Sequence, residues 1–301
     1  MKTLTRRAFN SAALLGSLGA NVASADSPDF KLKYMLASSM YGRIDVLECI
    51  RQVKAINASC IDLWPPSHGD QRLQIDNIGH EVFLRALSDA GVTFEMSTRY
   101  DLGPYRLKDE IEIVKRLGGS MIVCGSRKLN PGDVKPQVQE FIASLKPHAM
   151  LAEKAGVRIC IENHSSALIN SPDSIRYFAE LNQSPALGIA LAPYHLPQET
   201  GTISNLIGHL GDHLAHFYAW EHGMGCHKPM PKPLELMQMP GQGTLDFAPI
   251  MSALKDINYS NYTEIFMHPT PRGIPILANA NLVSQEINKS RDYLTRCIER
   301  I

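Results

Sequence analysis

Two glutamates and a histidine lie in apolar stretches where their side chains could do acid-base or metal chemistry. Glu162 ends the run ICIE, and Glu264 interrupts the run YTEIF. A carboxylate in such surroundings needs a cation, a proton or several hydrogen-bond donors to offset its desolvation. His216 lies in a third apolar run, so all three could reach one divalent ion if the runs are neighbours. In the structural alternative, both carboxylates pair with arginines such as Arg99.

Other polar and aromatic residues follow apolar runs of the same kind. A tryptophan in that position can stack on a sugar or plug the core. A lone histidine there more commonly makes a structural hydrogen bond than binds a ligand. If the runs converge, these residues become candidate substrate contacts: Trp64, His164, His195, His222 and His268.

The runs form part of a regular alternation, which indicates how they are arranged. Eight short apolar segments are predicted as strands, at 32–38, 60–64, 93–98, 121–124, 158–162, 187–192, 214–220 and 262–267. Segments of helical period lie between and after them, at 45–56, 80–90, 107–117, 135–155, 171–181, 203–210, 247–257 and 284–298.

Strict alternation of strands and helices implies a parallel sheet with right-handed crossovers. Eight such units in about 270 residues match the size of a closed (β/α)8 TIM barrel, an α/β fold. A doubly wound open sheet is the alternative, but no Gly-x-Gly-x-x-Gly motif follows the first strand. In a barrel the candidate residues would converge, because they follow the carboxyl ends of the strands.

Capping signals support several of the predicted helix ends. Ser171 followed by Pro172 is typical of a helix start. Gly91, Gly118 and Gly156 come just after predicted helices, where a left-handed residue commonly ends the last turn. The stretch 223–243, rich in Pro, Gly and Met, is predicted to be a long loop after the seventh strand.

The first 25 residues have the pattern of an export signal. A basic start containing Arg6 and Arg7 precedes an apolar stretch and the small residues of 23–25, and TRRAF resembles a twin-arginine signal. We therefore expect an exported, for example periplasmic, protein whose barrel domain spans 26–301. The alternative is a cytoplasmic protein with a basic start. No other stretch approaches the roughly 20 apolar residues of a membrane span.

The net charge indicates which partners to expect, and the spacing of the cysteines indicates whether to expect disulfides. Without residues 1–25 the chain has 27 basic and 30 acidic residues, a net charge of −3. A slightly acidic chain without a basic run disfavours nucleic acid as the partner. Cys60, Cys124 and Cys160 lie in apolar runs without C-x-x-C spacing, so buried thiols are favoured over disulfides.

The order of these residues resembles the xylose isomerase-like TIM barrels, a superfamily of sugar isomerases, sugar epimerases and abasic-site nucleases. The resemblance covers residues from about 32 to 268 and includes GQGTLDF at 241–247, which is similar to the family's Gly-x-x-x-Asp-Phe lead into its last crossover helix. Tyr259 and Tyr262 then precede the glutamate of the eighth strand.

The resemblance implies a set of metal ligands. In the epimerase branch, a divalent metal is held by Glu, Asp, His and Glu on strands five to eight, and a substrate-binding His follows the Asp by three residues. Carried over, Glu162, His216 and Glu264 become metal ligands and His195 a substrate contact. The Asp position falls on Ala192, which cannot bind a cation. A water, a substrate oxygen or a nearby histidine would complete the shell of Mn²⁺, Mg²⁺ or Zn²⁺, or no metal binds.

The resemblance implies an isomerase or epimerase that transfers protons beside the carbonyl of a sugar, with metal assistance and with Glu162 and Glu264 as catalytic groups. A lyase that performs β-elimination on a 3-keto sugar is one alternative, and a non-catalytic carbohydrate-binding barrel is another. The nuclease activity of the other branch is disfavoured by the net charge and by Ala192.

Overall fold

A computed structural model describes residues 30–301 and contains a closed barrel of eight parallel strands. The predicted export signal at 1–25 lies outside the described residues. Each strand pairs with its sequence neighbours, and β1 pairs with β8 to close the barrel. The predicted TIM barrel is confirmed. Its strands are β1 (Lys33–Ala37), β2 (Cys60–Leu63), β3 (Thr93–Thr98), β4 (Met121–Gly125), β5 (Arg158–Glu162), β6 (Leu187–Leu191), β7 (Leu214–Ala219) and β8 (Tyr262–Ile265).

Helices surround the barrel and connect its strands. They are α1 (Val46–Val53), α2 (Gln71–Ile78), α3 (His80–Ala90), α4 (Lys108–Arg116), α5 (Val134–Ala155), α6 (Pro172–Leu181), α7 (Thr200–Leu210), α8 (Lys232–Glu235), α9 (Ala248–Asp256) and α10 (Ala280–Ile298). None of the described helices has the length and apolar character needed to cross a membrane.

Two helices were not predicted, for different reasons. The α2 sequence, QRLQIDNI, is mostly polar and buries only three of its residues, so its apolar periodicity is weak. Arg72 on this helix is buried by an ion pair with Glu110 of α4, a tertiary contact that no local pattern reveals. The other, α8, is a single turn of four residues within the predicted 223–243 loop.

Local capping follows the predictions where they were made. The Ser171 side chain accepts a hydrogen bond from the Ser174 backbone N–H, and Pro172 is the first residue of α6. Gly91 and Gly156 end α3 and α5 with φ of 63° and 72°, in the left-handed region that glycine adopts without steric cost.

Several strands end one or two residues before the predicted boundary. Ala192, Trp220 and Met267 are buried but lie just beyond β6, β7 and β8, where the chain leaves the sheet to form the loops. All six cysteines are free and buried, which confirms the interpretation of Cys60 and its counterparts as apolar side chains.

Candidate active site

A cavity of about 270 Å³ opens at the carboxyl ends of the strands, where TIM barrels place their active sites. Larger surface depressions of about 430 and 630 Å³ lie elsewhere, one beside α5 and one near the first described residues. The 270 Å³ cavity is distinguished by its converging polar groups. Its lining residues are His68, Tyr100, Glu162, His164, Ser165, Tyr194, His195, Trp220, Cys226, His227, His268 and Arg272.

Glu162 supplies the carboxylate of the cavity wall. It is the last residue of β5 and is only 3% exposed. Burial raises its pKa well above the usual value, and the negative charges of Glu264 and Asp62 raise it further. A carboxylate with a raised pKa is a stronger base than an exposed one, which suits it to accept a proton from carbon.

His195 faces Glu162 from the neighbouring strand end. Its Nε2 lies 3.6 Å from Oε1 of Glu162, too long for a hydrogen bond, and has no other hydrogen-bond partner within residues 30–301. Burial, reinforced by nearby imidazoles and Arg272, lowers the pKa of His195 to about 3. The His195 ring is therefore neutral near pH 7. Its Nε2 and the Oε1 of Glu162 are both available to a ligand.

Asn163 fixes the relative position of these two residues. Its side-chain amide donates to the carbonyl of Ala192 at 3.0 Å, while its Oδ1 accepts from the N–H of Ala192 at 2.7 Å. Ala192 precedes the 3-10 turn Pro193–His195, and its carbonyl also accepts from the N–H of His195. Ala192 thus connects the end of β5 to the turn that carries His195.

Aromatic side chains form a second wall of the cavity. Tyr194 stacks on Trp220 with ring centroids 4.0 Å apart, and Trp220 also contacts the ring of His268 edge-on. The indole N–H of Trp220 donates to Gln238 Oε1 at 3.1 Å, which fixes the ring orientation. Aromatic faces of this kind commonly pack against the C–H surfaces of sugars.

Two more histidines line the cavity next to Trp220, which contacts one of them. His68 and His268 have ring centroids 4.6 Å apart. Burial and the charge of Arg272 lower the pKa of His68 to about 4, and the same causes lower the pKa of His268 well below its ordinary value. His164 also lines the cavity, with its ring centroid 4.2 Å from that of His195.

The structure brings some of the predicted site residues to the cavity and not others. Glu162, His164, His195 and His268 line it. Trp64 is 1% exposed and stacks on Phe266 with centroids 5.2 Å apart, so it packs in the core beneath the cavity.

His222 is placed at the rim and does not line the cavity. Its side chain is exposed, and its ring nitrogen Nδ1 lies 3.3 Å from the carbonyl oxygen of Tyr194. The preceding Glu221 is buried, and its Oε2 accepts from the N–H of Leu245 at 2.8 Å. Glu221 therefore holds the GQGTLDF stretch in place and does not line the cavity.

Glu264 and His216 lie deeper, inside the barrel. Both are fully buried, and Nε2 of His216 lies 3.7 Å from Oε2 of Glu264. Asp62 of β2 and Tyr218 of β7 are buried with them, and Tyr218 is the register partner of Glu264 on β8. Burial raises the pKa of Glu264 well above its usual value and lowers that of His216 to about 3.

The arrangement does not fit the metal centre expected from the resemblance. Among residues 30–301, no three His, Cys, Asp or Glu side chains converge closely enough to hold one ion. Glu162 pairs with His195 and Glu264 with His216, so the three expected donors are divided between two sites. Metal binding stays a prediction.

Arg99 does not form an ion pair with Glu162 or Glu264. The alternative in which such an arginine neutralises these two carboxylates is therefore wrong for Arg99. Its guanidinium binds Asp101 at 2.8 Å and also contacts Glu110, which Arg72 binds as well. The buried part of this network, Arg72 with Glu110, links α2 to α4. The carboxylates of Glu162 and Glu264 therefore lack an arginine partner within the described chain.

Sequence reasoning missed eight of the twelve residues that line the cavity. Tyr100 and Tyr194 lie next to predicted strand ends and could have been found there. His68, His227 and Arg272 lie on loops, where the sequence gives no periodic signal. Trp220 was included in a predicted strand without being assigned a role, although it directly precedes the Glu221-His222 pair.

Comparisons with known proteins agree on the fold. The family model described as "Xylose isomerase-like TIM barrel" matches residues 50–297. The chain has no significant match among curated protein sequences.

Solved structures of similar fold cover most of the chain. A D-psicose 3-epimerase with D-tagatose from Clostridium cellulolyticum H10 is 17% identical with a TM-score of 0.68, and the match covers 89% of this chain and 99% of that one. A 3-keto-D-glucoside 4-epimerase from E. coli is 18% identical with a TM-score of 0.65, covering 87% and 100%. The IolI protein with a bound zinc atom is 14% identical with a TM-score of 0.68, covering 89% and 99%.

Proposed function

Because the chain belongs to the xylose isomerase-like TIM barrel family, we propose that it is an isomerase or epimerase that transfers a proton beside the carbonyl of a sugar. The observation that carries the proposal is the pair formed by Glu162 and His195 in the cavity wall. The solved epimerases of the same fold support this reaction class.

In the proposed reaction, Glu162 takes the proton from the carbon next to the carbonyl. The pair of electrons left on carbon moves into an enolate, so negative charge develops on the carbonyl oxygen. His195 is neutral near pH 7, and a neutral imidazole can donate a hydrogen bond to that oxygen from Nε2. Protonation of the same carbon on the face opposite Glu162 gives the epimer. Protonation of the neighbouring carbon, with a hydroxyl proton passing from one substrate oxygen to the other, gives the isomer.

We propose a role for Glu264 other than proton transfer to and from the substrate. It is fully buried and is not among the residues that line the cavity. Its negative charge contributes to the raised pKa of Glu162. We propose that Glu264, buried beneath the cavity, raises the basicity of Glu162 through its charge and does not contact the substrate.

The size and chemistry of the cavity support a single sugar unit as substrate. A volume of about 270 Å³ is slightly below the range of about 300–1,000 Å³ that drug-sized ligands fill. The Tyr100 hydroxyl is buried without a hydrogen-bond partner in residues 30–301 and lines the cavity, so it can bind a substrate hydroxyl. Trp220 and Tyr194 offer aromatic surface on another side.

The direct test is hydrogen exchange with solvent. The purified protein is incubated in D₂O with ketoses, aldoses and 3-keto glycosides, and deuterium at carbon is measured by mass spectrometry and NMR. Incorporation with a change of configuration or of carbonyl position supports the proposal. Release of an aglycone from a 3-keto glycoside would identify β-elimination instead. Sugar binding without exchange would identify a carbohydrate-binding barrel and contradict the enzyme.

We also propose that the protein works after export. The support is the pattern of residues 1–25, with Arg6 and Arg7 before an apolar stretch. Free phosphorylated sugars are chiefly cytoplasmic, so an exported enzyme would act on a sugar without a phosphate group.

A further inference from the structure

Arg272 introduces a fixed positive charge into the cavity. Among the described residues that line the cavity, it is the only lysine or arginine. Its guanidinium donates to the carbonyl of Pro269 at 2.9 Å and to the sulfur of Cys226 at 3.0 Å. None of the ion pairs among residues 30–301 includes Arg272. Three of its five N–H groups are thus left for other partners.

The segment that leads to Arg272 is anchored at His268 and at Thr270. The N–H of Thr270 donates to Oε1 of Glu235 at 2.6 Å, and the Thr270 hydroxyl donates to the carbonyl of Cys226 at 3.0 Å. The side chain of Gln238 donates to the carbonyl of His268 and accepts from its N–H. Because neighbouring loops fix this segment, the guanidinium is held in place before a ligand arrives.

Three of the five histidines that line the cavity carry no charge near pH 7. The rings of His68, His195 and His268 are neutral near pH 7, and the charge of Arg272 is one of the reasons. The one lining carboxylate, Glu162, contacts His195 instead of the arginine. The cavity therefore holds a base at one position and an unneutralised cation at another.

We propose that Arg272 binds a carboxylate of the substrate, which makes the substrate an acidic sugar such as a hexuronate. A guanidinium matches a carboxylate through two parallel hydrogen bonds, and a partly buried site strengthens them. The carboxylate would lie at Arg272, while the carbon that loses its proton lies at Glu162. This inference names the substrate class of the function proposed above and rests on it.

Binding measured without turnover tests the inference. D-glucuronate, D-glucose and D-glucose 6-phosphate are titrated into the intact protein, and affinity is followed by calorimetry and by tryptophan fluorescence, since Trp220 lines the cavity. We expect glucuronate to bind roughly 10- to 100-fold more tightly than glucose, the range for a hydrogen bond to a charged group. Equal affinity for glucuronate and glucose would overturn the proposal. Tighter binding of glucose 6-phosphate than of glucuronate would also overturn it, because the group bound by Arg272 would then be a phosphate.

Variants locate the effect. Arg272→Met should abolish the preference for glucuronate. Arg272→Lys should keep part of it, because lysine keeps the positive charge but lacks the two parallel N–H donors of a guanidinium. Arg51→Met removes an exposed arginine of α1 that pairs with Glu48, and it should leave the preference unchanged. An undiminished preference in Arg272→Met would contradict the assignment. If Arg272→Met does not fold by circular dichroism, Arg272→Lys and the salt dependence of wild-type binding decide the question.

The outcome is separable from that of the proposed function. Selective binding of glucuronate without deuterium exchange would support Arg272 as the anion site and contradict the enzyme. Exchange with neutral sugars at rates equal to those of acidic sugars would support the enzyme and contradict the anion site.

Discussion

Oε1 of Glu162 and Nε2 of His195 face each other across 3.6 Å in the wall of the cavity. Neither atom is engaged in a strong contact with the other, and the two residues come from adjacent strand ends. Because no hydrogen bond joins the two atoms, a substrate bound beside them can accept a hydrogen bond from His195 while it loses a proton to Glu162. The proposed chemistry rests on this relationship and on the contacts that maintain it.

The first prediction concerns Asn163, which exchanges two hydrogen bonds with the backbone of Ala192. Asn163→Ala leaves the buried N–H of Ala192 without a partner, while its carbonyl keeps only the bond from the N–H of His195, which should lower the free energy of unfolding by about 1–3 kcal/mol. The turn that carries His195 should also shift, so kcat should fall more than KM changes. Urea unfolding and steady-state kinetics measure the two effects.

Asn261 provides a matched control for this prediction. Its side chain makes one hydrogen bond, to the carbonyl of Leu214 at 2.9 Å, at the opposite end of the barrel. Asn261→Ala should lower stability without changing kcat. If Asn163→Ala keeps full kcat, Asn163 is not a positioning residue.

The second prediction concerns the pH dependence of stability through Glu221. Burial raises its pKa to about 7, although backbone N–H groups of 243–245 act in the other direction. Because the folded pKa is above the unfolded one, this contribution to stability is complete below about pH 4.5 and is lost as the pH rises to about 7. The loss should be about 3 kcal/mol.

Glu221→Gln should remove that part of the pH dependence. The free energy of unfolding of wild type and variant is measured by urea titration from pH 4 to pH 8, and the difference between them is compared. Glu81→Gln, on the exposed face of α3, serves as the control and should keep the wild-type slope. Parallel curves for wild type and Glu221→Gln would show that Glu221 does not titrate in this range.

The third prediction concerns Ala192, which stands where the resembled family has an aspartate. Ala192 lies two residues beyond Ala190, the register partner of Glu162. Ala192→Asp adds a carboxylate near Glu162, so the affinity for Mn²⁺ should rise at least about tenfold over wild type. Calorimetry and elemental analysis measure this, with Ala192→Asn as the control of similar shape. Equal metal binding by wild type and Ala192→Asp would rule out this position as a ligand site.

The same measurements test the metal ligands implied by the resemblance. If Glu162, His216 and Glu264 hold a metal, Glu162→Gln and Glu264→Gln should both reduce the bound metal. Unchanged stoichiometry in both variants would refute that ligand set.

The fourth prediction concerns export. If residues 1–25 are a twin-arginine signal, Arg6→Lys combined with Arg7→Lys should leave the protein in the cytoplasm. Cell fractionation and immunoblotting measure its location. Continued export of the double variant would argue against this route.

The sequence predicted the fold well because barrel strands are apolar runs with sharp boundaries. All eight strands and eight of the ten described helices were predicted near their observed bounds. The helix α2 was missed because its burial depends on the pairing of Arg72 with Glu110, which only tertiary structure brings together.

The site was predicted only in part, because the sequence specifies neither the depth of a side chain along the barrel axis nor the course of a loop. A strand period indicates which residues point into the barrel but not how far along its axis they lie. Glu162 and Glu264 therefore looked equivalent, although one lines the cavity and the other is buried beneath it. His68 and Arg272 reach the cavity from loops, whose course the sequence does not specify.

The most direct test of the account is solvent exchange by Glu162→Gln. Glutamine keeps the shape of the side chain but cannot accept the proton, so deuterium incorporation into substrate should fall by about 10²- to 10⁴-fold. Substrate binding and circular dichroism should be preserved. Glu264→Gln should reduce exchange less, because that residue lies outside the cavity. Exchange at the wild-type rate in Glu162→Gln, with the fold intact, would contradict its role as the base.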